Sequence, residues 1–174
     1  MIKFKEYYLV KENFKKREFS CLMLDCSEFK TELKEIQSNI DEGDLYDEEG
    51  FGMETDPHIT VLYGIHEQDP NIVKDLIELT SVEYYLDKLS LFENEDFDVL
   101  KCSVKSKDLI KLNKQVREIL EYTNDYDDYI PHLTIAYLKP GKGKIYTDKS
   151  IDRSFKSNKF TFSDKDSNKT VFKI

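Results

Sequence analysis

Apolar positions along this chain fall into two rhythms, and the changes of rhythm predict where its elements begin and end. The segment 19–26, Phe-Ser-Cys-Leu-Met-Leu-Asp-Cys, reads as a strand. Across 28–40, Phe29, Leu33, Ile36 and Ile40 recur at three- and four-residue steps with charges between them, the spacing of a one-faced helix. Helical spacing returns at 71–79 behind Pro70, a favourable first-turn residue, and at 107–121, where Leu109, Ile110, Leu112, Val116, Ile119 and Leu120 are read as a stripe. The segments 82–92 and 97–104 are β-branched and aromatic and are parted by Glu93-Asn94-Glu95-Asp96, so they should pair as an antiparallel hairpin. The tail 159–174 alternates around the turn-forming Asp166-Ser167-Asn168. Strands and helices interleave without a low-complexity linker, and the expectation is one α+β domain over residues 1–174.

Two polar stretches interrupt the pattern. The first, 41–56, holds eight acids with Gly43, Gly50 and Gly52, and neither rhythm survives it. Its acids do not follow the alternating order of a calcium loop, so no metal is expected there. A solvated surface loop is the default expectation, with a hinge at Gly50 and Gly52 that closes it over a ligand as the functional alternative. The second, 122–129, likewise runs into a proline.

Composition narrows the class. With 39% hydrophobic and 13% aromatic residues the chain can build a core despite a net charge of -9. Thirty-five acids against 26 bases argue against a protein that gains affinity by neutralising a long phosphate backbone, and leave a small anionic ligand open. No apolar run approaches the ~18 residues of a membrane span, and Glu6 falls where an export signal would be apolar; cytoplasm is the expected compartment. Cys21, Cys26 and Cys102 leave an odd thiol and read as structural thiols of a reducing compartment.

The sharpest feature is an internal echo. Pro57-His58-Ile59-Thr60-Val61-Leu62-Tyr63 and Pro131-His132-Leu133-Thr134-Ile135-Ala136-Tyr137 share Pro-His-aliphatic-Thr-aliphatic-x-Tyr, and use two of the three histidines and two of the four prolines. Strand alternation predicts that His58 and Thr60 share one face while Ile59, Val61 and Tyr63 face the core. The second copy should bury Leu133, Ile135 and Tyr137, and expose His132, Thr134 and the chain's one alanine, Ala136. One histidine at a strand start is ordinarily a structural residue; the same polar pair chosen twice on the same face points to a task. Two lobes related by a pseudo-two-fold axis would hold two imidazoles and two hydroxyls across a cleft.

Cleaving a phosphodiester beside a ribose 2′-hydroxyl needs a base for that proton, an acid for the departing 5′-oxygen, and donors for the non-bridging oxygens. Two imidazoles can fill the first two roles without a metal, and two threonines the third. Which histidine is the base stays open.

This pattern resembles the 2H phosphoesterase superfamily, with its two His-x-Thr/Ser motifs. Within it the stretches 56–64, 91–101 and 131–141 are most similar to the phage anti-CBASS nucleases, which degrade cyclic oligonucleotide signals of bacterial immunity. The resemblance implies a bilobal, internally duplicated α+β fold with two antiparallel sheets around a central cleft and helices outside. It implies His58, Thr60, His132 and Thr134 as catalytic residues, no cofactor, and metal-independent cleavage of 3′-5′ bonds in cyclic di- or trinucleotides. The alternatives are a 2′,3′-cyclic phosphodiesterase acting on RNA ends, and a nucleotide sponge that binds without cutting. That family is reported to stack bases on aromatic residues including a tryptophan, which this chain lacks, and Phe92 is the candidate substitute. Tyr7 and Tyr8 are weaker candidates of the same kind. Lys139, with Lys142 and Lys144, follows the second motif and could draw in an anion. His66 has no counterpart in the second copy and reads as structural.

Overall fold

The computed structural model describes residues 18–77, 81–123 and 128–174; Tyr7 and Tyr8 lie outside them. Among the described residues the strands are β1 (Ser20–Asp25), β2 (His58–Ile65), β3 (Val82–Glu93), β4 (Asp98–Lys105), β5 (His132–Leu138), β6 (Ser150–Ser157), β7 (Lys159–Ser163) and β8 (Lys169–Lys173). The helices are α1 (Lys30–Gln37), α2 (Asn71–Ile77) and α3 (Lys107–Ile119). The hairpins expected at 82–104 and 159–174 both form. In α3 the Ser106 hydroxyl caps the Leu109 N–H, satisfying a donor that the first helical turn leaves without a partner.

The strands make one sheet in the order β6-β3-β4-β5-β2-β1-β7-β8, antiparallel throughout. This corrects the expectation of two sheets. The order comprises two four-stranded halves, and each ends inward on a strand bearing one motif. An inner edge left open would expose unpaired peptide groups. Instead β2 and β5 pair antiparallel, Ile59 opposite Leu133, and the halves fuse.

The two matching motifs fold alike. Both β2 and β5 begin with the burial sequence half-buried, buried, half-buried, buried, buried, half-buried, buried. Strict alternation would not bury two neighbours, and the register explains it. Against β1, Leu62 lies opposite Leu22 and Thr60 opposite Met23, leaving Val61 extra; against β4, Ala136 lies opposite Leu100 and Thr134 opposite Lys101, leaving Ile135 extra. Each motif strand thus carries a β-bulge just after its threonine, which slips the alternation by one. Ala136 is consequently fully buried and lines no cleft, while Tyr63 and Tyr137 are half-exposed, the reverse of the sequence expectation for all three.

A helix supports each bulge. The Asn113 amide of α3 donates to the Val61 carbonyl at 2.7 Å, and the Gln37 amide of α1 donates to the Ile135 carbonyl at 2.9 Å. Both amides are buried, so the bonds replace water that the carbonyls lost. Beyond the seam each motif strand is covered by the segment leading into the other motif. Leu45 and Met53 bridge to Leu138 and Ala136, and Tyr122 bridges to Ile65. Gly64, at φ +86°, permits that second approach: a Cβ there would fall 1.8 Å from the Thr123 carbonyl oxygen.

The larger apolar core joins the helices to one face of the sheet, drawing Leu22, Leu24 and Phe162 from one half and Leu86, Leu100 and Val104 from the other. The opposite face carries the motif side chains. Among the described residues, no helix is long and apolar enough to cross a membrane.

Candidate active site

The pairing of Ile59 with Leu133 sets everything at the seam, because neighbours on antiparallel strands follow in register. His58 comes opposite Thr134, and Thr60 opposite His132. The four side chains share the face away from the core, where Ile59, Val61, Leu133 and Ile135 are fully buried behind them. Opposed side chains in such a pair start about 5 Å apart and diagonal ones about 7–8 Å, so the histidines stand diagonally across a four-cornered patch with a threonine at each remaining corner.

Both imidazoles are held alike. His58 Nδ1 lies 2.8 Å from the Asp56 carbonyl oxygen, and His132 Nδ1 lies 2.9 Å from that of Ile130. A carbonyl only accepts, so each Nδ1 carries the proton and donates. In the neutral ring Nε2 is then the lone-pair nitrogen, the form required of a general base. The Tyr129 hydroxyl donates to the Thr60 carbonyl at 2.8 Å, and burial pushes its ionisation up, so it stays a donor.

Sequence reasoning missed the residues flanking this patch. On β1, Asp25 stands opposite His58 and Met23 opposite Thr60; on β4, Ser103 stands opposite His132 and Lys101 opposite Thr134. Burial raises the Asp25 carboxyl, but bonds from the Ser27 N–H (2.9 Å) and Lys159 Nζ (3.1 Å) outweigh it and hold the carboxyl below its ordinary range. Lys101 is 5% exposed; its Nζ donates to Ser90 Oγ at 2.8 Å, and Ser90 and Ser103 hydroxyls share a 2.8 Å hydrogen bond. The signal was available: in Val99-Leu100-Lys101-Cys102-Ser103-Val104 the polar residues alternate onto one face of an otherwise apolar strand.

Phe92 lies beside the patch, 5% exposed, its ring perpendicular to His132 with centroids 4.9 Å apart. It belongs to a second apolar cluster with Phe97 and Val99, against which Tyr46, Phe51 and Tyr137 pack. Lys139 is exposed, five residues beyond Thr134, and its Nζ donates to the Gly43 carbonyl at 2.6 Å. Lys142 and Lys144 pair with Asp44 and Glu93. His66 bonds Thr123 and stacks on Phe19.

The acidic loop is anchored on both flanks. Peptide bonds link Tyr46 N to Tyr137 O, Tyr137 N to Gly52 O, Glu54 N to Ile135 O and Lys139 N to Asp44 O, at 2.8–3.0 Å. Between these anchors 47–50 form an exposed tip, and a hinged closure of all of 41–56 would break this edge. Among the described residues, no three His, Cys, Asp or Glu side chains gather as a metal site.

A family model described as the 2′-5′ RNA ligase superfamily matches residues 28–163, a span that holds both motifs and every strand from β2 to β7. No curated protein matches the chain.

Proposed function

Because the chain belongs to the 2′-5′ RNA ligase superfamily, part of the 2H phosphoesterases, we propose that it is a phosphodiesterase that opens 3′-5′ bonds in cyclic di- or trinucleotides. Membership supports phosphoesterase chemistry in general. The carrying observation is the patch at the seam, with two imidazoles oriented by equivalent Nδ1 bonds and a threonine across from each.

In this reading one neutral imidazole takes the 2′-hydroxyl proton at Nε2, and the 2′-oxygen attacks phosphorus. The other imidazole, protonated, gives its proton to the departing 5′-oxygen, leaving a linear product with a 2′,3′-cyclic phosphate. Thr60 and Thr134 donate to the non-bridging oxygens as charge builds on them. Addition of water across the cyclic phosphate reverses the roles of the two rings. Tyr46, Phe51 and Tyr137, the half-exposed aromatics packed on the Phe92 cluster, supply π-faces for a base. Lys139 contributes through the loop it holds, and Phe92 through His132.

The test is incubation with a panel of cyclic di- and trinucleotides in EDTA, with products read by mass. Linear products are expected, and an analogue lacking the 2′-hydroxyl at the scissile phosphate should resist. His58→Ala and His132→Ala should each lower turnover by at least about 10²-fold with the fold retained, and the parent should show a bell-shaped pH profile. Intact ligand throughout would refute the reading. The family description favours a second reading, an RNA-end 2′,3′-cyclic phosphodiesterase. Salt separates the two, since a polynucleotide substrate gives a steep dependence and a cyclic dinucleotide a shallow one.

A further inference from the structure

The duplication supplies its own control. Each motif strand has an outer neighbour, β1 for β2 and β4 for β5, and the register equates positions across the halves. Lys101, opposite Thr134, corresponds to Met23, opposite Thr60. One strand further out, Ser90 pairs with Lys101 as Thr161 pairs with Met23, and Phe92 pairs with Val99 as Ser163 pairs with Cys21. The motifs match; these surroundings do not. One half puts an ammonium and a phenyl ring where the other puts a thioether and a hydroxyl.

Those two residues form a stack that ends on a histidine. Lys101 Nζ lies 4.2 Å from the Phe92 ring centroid, a cation–π contact, while its bond to Ser90 restrains it from the side. Phe92 in turn meets the His132 imidazole edge-on at 86°. Lys101 and Phe92 are both 5% exposed, which limits the rotamers open to either. A fold that needed only volume at position 101 has a neutral solution of similar length in Met23. Burying an ammonium instead costs desolvation, so the site gains something in return.

We propose that Lys101 and Phe92 are positioning residues: Lys101 pins the Phe92 ring, and the ring holds the His132 imidazole at its working angle. The inference rests on the catalytic reading of His132. It makes the two histidines unequal, with His132 braced by a stack and His58 opposite the Asp25 carboxylate. The brace also places the Lys101 amine on the His132 side of the seam, where its charged form favours a phosphate diester.

Two variants test it. Lys101→Met copies the other half of the molecule, and Phe92→Leu keeps an apolar core residue while removing the ring. In each, ring NMR signals of His132 should shift or broaden while those of His58 stay in place, and kcat on the cyclic dinucleotide should fall roughly 10- to 100-fold with KM little changed. Phe92→Tyr keeps the ring and should restore both readouts. Unchanged His132 signals, or equal shifts of both histidines, would overturn the proposal, as would an unaltered kcat. The NMR readout needs no substrate, so it decides the brace even if no cyclic nucleotide is cut.

Discussion

Asp25 shows how a single residue ties the patch to stability. Its folded-state carboxyl lies below the ordinary range, so its stabilisation is present above the unfolded-state pKa of about 3.9 and is lost as pH falls through the lower, folded value. Asp25→Asn should therefore lower the urea midpoint near about pH 7 and differ less from the parent near about pH 2. An equal deficit at both would show that the charge contributes nothing. The four motif residues were legible at this scale, since strand parity alone puts His58 with Thr60 and His132 with Thr134. Lys101 and Ser103 could be read as polar positions on one face of their strand, but that they and Asp25 flank the patch could not, because register between strands decides it. The cysteines follow expectation: all three are buried, and desolvation pushes the Cys26 and Cys102 thiols up to about 12.

At the scale of elements the decisive features are the two bulges. Asn113→Leu keeps the side chain's size but strips the Val61 carbonyl of its amide partner inside the core, and should cost roughly 1–3 kcal/mol in equilibrium unfolding. A loss below the measurement error would mean the bulge carbonyl finds another donor. Alternation read along one strand could not foresee Tyr63, Tyr137 and Ala136, because a bulge is a relation between two strands. Strand β6 went unread for a related reason. Ser150–Ser157 offers only Ile151 and Phe155 as apolar residues, and it forms by pairing with the edge of β3.

For the whole molecule, the question is whether two duplicated halves behave as two units. Among the described residues Ile59 and Leu133 are the one ladder pair across the seam, yet the core on the helical face runs through both halves. Removing either half would expose the apolar surface of the other. Unfolding should accordingly be a single transition, with far-UV dichroism and tyrosine fluorescence coincident in urea. Two separated transitions would show that the seam, and not the shared core, is the weak joint.

The sequence by itself determined most of the elements, the duplication and the residue types each copy presents, because periodicity and residue type are local properties. Only tertiary structure decided that the halves share one sheet, that each motif strand bulges, and that Lys101 and Phe92 stand behind one histidine alone. Those outcomes depend on register between strands distant in the chain, where closing an open edge and satisfying buried carbonyls outweigh the alternation of any single strand.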